Sequence, residues 1–157
     1  IRDRGVCVFD IDHTLTCDQE CSVSQVHTIN NSIKLCREHG FTIAINTARP
    51  MQNDILHGIQ KEIRDNFTND PNSLILSRPL NSNISVEQHK LMNMQHIANT
   101  YNIPYGRTIL IDDIKDTCDL VQSNGMKTIH VSNQNGITIN EYTQLENILE
   151  KMKLAKI

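Results

Sequence analysis

The sequence predicts an α/β fold, a mostly parallel sheet held between two layers of helix, and three observations predict it. Short apolar, β-branched runs alternate with longer segments in which apolar residues recur every three or four positions. The alternation continues along the chain with no internal repeat, low-complexity tract or linker rich in Gly, Ser or Pro. Several apolar runs end in Asp or Thr, and a parallel sheet gathers the ends of its strands at one edge.

Gly5 to Ile11 reads as the first strand. A helix follows from Val23 to His39, with Val23, Val26, Ile29, Ile33 and Cys36 on one face and Gly40 as its stop. Phe41 to Asn46 is a second strand and Thr47 to Arg49 a loop; Pro50 is expected to open a helix carrying Met51, Ile55, Ile59 and Ile63. Ser73 to Ser77 is a third strand. Ser85 and Gln88 have capping-box spacing ahead of a helix with Leu91, Met94, Ile97 and Tyr101. Arg107 to Ile111 is a strand, Asp116 to Asn124 a short helix ended by Gly125, and Lys127 to Val131 a strand. Tyr142, Leu145, Ile148, Leu149 and Met152 mark the last amphipathic helix.

A chain of 157 residues has the length of one ordinary domain, and 38% apolar with 21% charged residues is a globular composition. The net charge of -3 argues against a chain-wide basic footprint for nucleic acid but leaves a local basic rim open. No apolar run approaches the roughly 18 residues of a membrane span, and these residues contain no signal-peptide apolar core. The five cysteines, Cys7, Cys17, Cys21, Cys36 and Cys118, form neither a CxxC nor a zinc-ligand pattern. They are expected to be reduced thiols in a cytoplasmic setting.

The chemistry is concentrated at two strand ends. Val8-Phe9-Asp10-Ile11-Asp12-His13-Thr14 sets two carboxylates two residues apart where an apolar strand runs out. Standing alone, the pair is equally an ordinary strand-to-loop exit with solvated or capping acids. Ile109-Leu110-Ile111-Asp112-Asp113 repeats the arrangement with adjacent acids. Adjacent carboxylates repel, and a hard cation bound through oxygen removes the repulsion. One or two carboxylates with waters and phosphate oxygens is the usual surrounding of Mg²⁺.

Asp10-Ile11-Asp12-His13-Thr14 resembles the DxDxT signature of the haloacid dehalogenase superfamily of phosphatases. Thr47, in Ile45-Asn46-Thr47-Ala48-Arg49, resembles the second-motif Ser/Thr, Lys90 the third-motif lysine, and Asp112-Asp113 the double-acid form of the fourth motif. The match runs in order from residue 5 to 131. It implies a three-layer Rossmann-like sandwich over residues 1–157, Mg²⁺ as cofactor and Asp10 as nucleophile. It further implies that Asp12 protonates the leaving oxygen and then activates water, that Thr47 donates to a phosphoryl oxygen, and that Lys90 neutralises charge and orients Asp10. The metal would be held by Asp10, the Asp12 carbonyl and a fourth-motif acid, Asp113 first and Asp112 close behind, with Asp116 acting through water. His13 and Arg49 are substrate-contact candidates, and Arg49 with Arg78, Lys115 and His89 is a candidate basic rim. Capping or solvation accounts equally well for each.

Members of this family often carry a cap inserted after the first motif or between the second and third. Leu15 to Ser22 is too short for one, and Pro50 to Ile84 is mostly taken by a helix and a strand, so a capless domain is implied. An open site suits a large phosphorylated substrate, a nucleic-acid end or a phosphoprotein, because the substrate itself excludes water. The alternative is a small sugar or nucleotide phosphate with a lid supplied by a second copy in a homo-oligomer. A receiver-like phosphoacceptor module uses similar residues, but its acidic pair would come first and its acceptor in the middle, whereas here DxD comes first and the adjacent pair late.

Overall fold

The computed structural model describes residues 5–17, 20–50, 65, 68, 70, 73–78, 83–132 and 136–154, excluding the side chains of residues 49, 50 and 154. Strand β1 (Gly5–Phe9) is five buried residues at the centre of a five-stranded sheet. β2 (Phe41–Pro50) and β4 (Thr108–Asp112) flank it, and β3 (Ile75–Arg78) and β5 (Lys127–His130) are the outer strands, giving the order β3-β2-β1-β4-β5. Every pairing is parallel. The chain thus steps outward from β1 through β2 to β3, then returns to start again beside β1 with β4. Connections on the two sides of the β1/β4 boundary leave in opposite directions, which opens a crevice beyond the carboxyl ends of those two strands.

Helix α1 (Val23–Glu38) follows β1, α2 (Val86–Tyr101) follows β3, α3 (Lys115–Ser123) follows β4 and α4 (Ile139–Leu154) follows β5. A single 3₁₀ turn, Tyr105–Arg107, leads into β4. Because successive strand residues face opposite ways, β1 divides its side chains between two cores. Cys7 and Phe9 pack with Ile29 and Ile33 of α1 and Leu145 and Leu149 of α4. Val6 and Val8 pack with Leu91, Met94 and Ile97 of α2 and Val121 of α3.

Several local expectations are corrected. β2 does not stop at Asn46: it runs to Pro50, which pairs with Arg78 across an irregularity in the β2/β3 register, so Thr47 sits within a strand and Pro50 does not open a helix. The expected helical face of Met51, Ile55, Ile59 and Ile63 lies outside the described residues. Arg107 belongs to the 3₁₀ turn, and β4 extends through Asp112. A capping box with both bonds formed occurs at α1, where Ser22 and Gln25 each bond the other's backbone N–H. At α2 the Ser85 side chain accepts from the Gln88 N–H. Val23 and Val26 were expected on the buried stripe of α1 but are exposed, and the stripe begins at Ile29.

The cysteines also divide differently. Cys17 and Cys21 form a disulfide, their Cα atoms 5.2 Å apart, within the span a disulfide bridges. Cys7, Cys36 and Cys118 are free and buried. No helix among the described residues is long and apolar enough to cross a membrane.

The loop after β1 is folded tightly on itself, the Ile11 carbonyl accepting from the N–H groups of Thr14, Leu15 and Thr16. The chain after β5 braces it: Ile137 N–H donates to the Thr14 carbonyl at 3.0 Å. Beside it Gly136 has φ +86°, and a Cβ there would lie 3.1 Å from the Thr16 carbonyl oxygen and 3.2 Å from that of Thr14. Gly136→Ala is therefore expected to lower stability by about 1 to 3 kcal/mol, read as a shift in urea midpoint. An unchanged midpoint would show that the brace is not needed.

Candidate active site

The alternation that sorts the cores also aims the polar residues. Val8 of β1 is in register with Ala44 of β2 and Leu110 of β4, all facing α2 and α3. Two residues further along each strand stand Asp10, Asn46 and Asp112, on that same face. Asp10 and Asp112 flank the β1/β4 crevice, and the Asp10 N–H donates to the Ile111 carbonyl at 3.0 Å.

Lys90 approaches from α2. It lies four residues before Met94 and seven before Ile97, so it occupies the buried stripe of its helix, and only 2% of it is exposed. Its ammonium is 2.9 Å from Asp10 Oδ1 and also bonds Asp112 Oδ2. The second oxygen of Asp112 accepts from the Ile114 N–H at 2.9 Å. Asp113 is half-buried, and its carbonyl accepts from His130 Nε2–H at 3.0 Å.

One carboxylate oxygen from each of Asp10, Asp112 and Asp113 lies within 4.8 Å of the others, which is the spacing of a cation site with oxygen ligands. Three carboxylates facing one ammonium leave two negative charges, the deficit a divalent ion fills. The titration behaviour agrees with that deficit. Burial first, and then the facing Asp112 carboxylate, push the Asp10 carboxyl up to about 8 against the pull of Lys90. Asp112 is also held above the ordinary carboxylate range, because burial outweighs its bond to Lys90. Burial opposes the charge on Lys90, but Asp112 and Asp10 outweigh it and raise its pKa. The donor set fits Mg²⁺.

The remaining candidates are arranged around this centre. Thr47 is buried in β2, two residues beyond Ile45, the register partner of Phe9. Asp12 is half-buried in the turn whose bonds converge on the Ile11 carbonyl, outside the three-acid cluster. His13, next to it, has a left-handed backbone with φ 60°, a conformation that non-glycine residues adopt at a cost. Asp116 is exposed on the first turn of α3 and is not in the cluster. Of the candidate basic rim, Lys115 forms an exposed pair with Asp119 at 2.9 Å, while Arg78 ends β3 and donates to the Ile84 carbonyl at 3.3 Å. His89 is half-buried beside Lys90, and the Arg49 side chain lies outside the described residues.

Sequence reasoning missed Asn46. Fully buried, it donates from Nδ2 to the Lys90 carbonyl at 3.0 Å and accepts at Oδ1 from Asn93 Nδ2 at 3.0 Å. Asn93 also donates to the Ser77 carbonyl at 3.3 Å, so the network ties β2 and β3 to the helix that carries Lys90. An amide inside an otherwise apolar strand was the available signal. Cys118, with Sγ 3.7 Å from the Asp112 carbonyl oxygen, is pushed up to about 12 by burial, which disfavours the thiolate a nucleophile needs.

No protein-family model and no curated protein sequence matches the chain. Solved structures do. A protein of Corynebacterium glutamicum described as uncharacterized superposes with a TM-score of 0.67 at 10% identity, covering 94% of this chain and 96% of that one. The N-terminal part of a Bacteroides fragilis protein, containing a phosphatase domain and complexed with Mg, gives 0.58 at 15% identity. The match covers 94% of this chain and spans 40% of that one. The cobalt-bound deoxy-D-mannose-octulosonate 8-phosphate phosphatase of Haemophilus influenzae gives 0.54 at 12% identity, over 98% and 95% of the two chains. The chain therefore shares the Rossmann-like α/β fold of these structures, one of them a phosphatase and another containing a phosphatase domain.

Two outcomes are expected. Asn46→Ala should cost about 1 to 3 kcal/mol in urea denaturation, because it removes the buried bond to the Lys90 carbonyl and the one from Asn93; a loss below about 0.5 kcal/mol would show the network to be dispensable. Mg²⁺ should raise the thermal midpoint, and more at pH 8 than at pH 5. Below about 8 a proton on Asp10 competes with the ion, so apparent affinity rises as pH passes through that value. A pH-independent shift, or none, would argue against a cation beside Asp10.

Proposed function

We propose that this chain is a Mg²⁺-dependent phosphomonoester hydrolase that works through an aspartyl-phosphate on Asp10 and acts on a large or exposed phosphorylated substrate. The observation that carries the reading is the position of Lys90, a buried ammonium shared by the acid that ends β1 and the acid that ends β4. A lysine in the apolar stripe of a helix loses hydration that only such partners replace. The arrangement also holds one oxygen of Asp10 in a defined direction, as a nucleophile requires.

Attack of an Asp10 oxygen on phosphorus forms an acyl-phosphate bond as the ester P–O bond breaks, and the leaving oxygen takes a proton from Asp12. Asp12 then accepts a proton from water, whose oxygen attacks phosphorus; inorganic phosphate leaves and the Asp10 carboxylate returns. Lys90 holds Asp10 throughout, and the Thr47 hydroxyl donates to a phosphoryl oxygen. Asp10, the Asp12 carbonyl and Asp113 or Asp112 would hold Mg²⁺, which would supply positive charge where carboxylate and phosphate dianion otherwise repel.

The test is steady-state hydrolysis of p-nitrophenyl phosphate. Wild-type activity should require Mg²⁺ and be abolished by chelation. Asp10→Asn should be inactive, and Asp12→Asn should lose about 10²- to 10⁴-fold in kcat. Full activity in Asp10→Asn would refute the nucleophile assignment.

A further inference from the structure

The described residues include six large apolar side chains that are exposed, and their distribution is uneven. Val23, 87% exposed, is the first residue of α1; Ile139, 63% exposed, is the first of α4. Ile114 is the N-cap of α3, and Ile84 precedes Ser85, the N-cap of α2. Each of these helices follows a strand of an all-parallel sheet, so each N-terminus stands at the carboxyl edge, the edge that carries Asp10 and Asp112. Val26 is one turn further along α1, and Met92 alone lies in the body of a helix.

A single exposed Val or Ile needs no explanation. Four of them on four different strand-to-helix connections around one site do. Those connections leave β1, β3, β4 and β5, and β3 and β5 are separated by four strand spacings, about 19 Å. A sugar or nucleotide phosphate seated at Asp10 cannot touch both sides of such a rim. A macromolecule carrying the phosphate can.

Charge decides which kind. The described cations at this edge are Lys90, already held by Asp10 and Asp112, Arg78, and Lys115, already paired with Asp119. Asp12, Asp113, Asp116 and Glu87 stand at the same edge. A nucleic-acid end brings a row of phosphodiesters that need Lys and Arg to replace their counterions. Among the described residues the rim is apolar with an acidic balance, which suits a polypeptide.

We infer that the substrate is a phosphorylated segment of another protein, its phosphoryl group at Asp10 and its flanking apolar side chains against Val23, Ile139 and the rim opposite. The inference rests on the phosphatase reading and narrows it to phosphoprotein.

The test compares four substrates in Mg²⁺: a degenerate phosphopeptide library, 5′- and 3′-phosphorylated oligonucleotides, a panel of sugar phosphates, and p-nitrophenyl phosphate. Library members dephosphorylated first should be enriched in Val, Ile, Leu or Phe flanks. For an enriched peptide, the double variant Val23→Ser/Ile139→Ser should lower kcat/KM about tenfold through KM, one buried apolar side chain accounting for at least that factor. Hydrolysis of p-nitrophenyl phosphate should be unchanged. Faster turnover of oligonucleotides or sugar phosphates, no flank preference, or a variant as active on peptide as the parent would each overturn the inference. If no phosphate ester is hydrolysed, the phosphatase reading is what fails. The docking surface is then judged by anisotropy of a labelled phosphonate peptide library, whose binding should be lost in the double variant; no binding, or equal binding, overturns it.

Discussion

The ammonium of Lys90, buried between Asp10 and Asp112, is the interaction on which the arrangement of the molecule depends. Each of these three groups is 4% exposed or less, so none recovers its lost hydration from solvent. Taking away one member of such a cluster leaves uncompensated buried charge, at a cost of roughly 3 to 5 kcal/mol. The sheet order follows the same logic: β1 and β4 must be neighbours for one lysine to serve both acids, and α2 must pack on the face to which both acids point. Topology and electrostatics therefore specify each other here.

The network around Asn46 extends that constraint. A helix packed only through Met94, Ile97 and Leu91 could slide on the sheet at little cost, because apolar contact is not directional. Hydrogen bonds from Asn46 to the Lys90 carbonyl, and from Asn93 to Asn46 and Ser77, are directional, and they are made at the level of the lysine. Asp112 is fixed from the other side by the Ile114 N–H. The charged centre thus has polar anchors on both strand ends and on the helix, as a site needs when the reacting atoms must be held within a few tenths of an ångström.

What was legible in the sequence follows from range. Apolar runs ended by acids are local, so Asp10, Asp112 and Asp113 could be read directly, and the parallel order implied one shared edge. Lys90 is legible only through the resemblance to the third motif; its burial on the stripe of Met94 and Ile97 is visible in the fold. Thr-Ala-Arg-Pro looks like a strand exit, so Thr47 reads locally as a loop residue; pairing with β3 carries the strand on to Pro50, and that pairing is invisible from β2 alone. Asn46 and Asn93 are 47 residues apart, beyond the reach of any local pattern. The Cys17–Cys21 spacing fits neither a CxxC nor a metal-ligand pattern, so the disulfide is not legible from those patterns.

The apolar rim illustrates a different failure of pattern reading. Val23 and Val26 fit the helical period that marks a buried face, and the period extends correctly to Ile29, Ile33 and Cys36. A helix that leaves the sheet's carboxyl edge starts beyond the end of its own strand, where no neighbour remains to cover its first turn. Apolar residues in that turn are then exposed by geometry, whatever their period. Selection for solubility alone would replace them, since polar residues cost nothing there. Their recurrence at four helix starts around one charged centre is the observation on which the proposed docking surface rests.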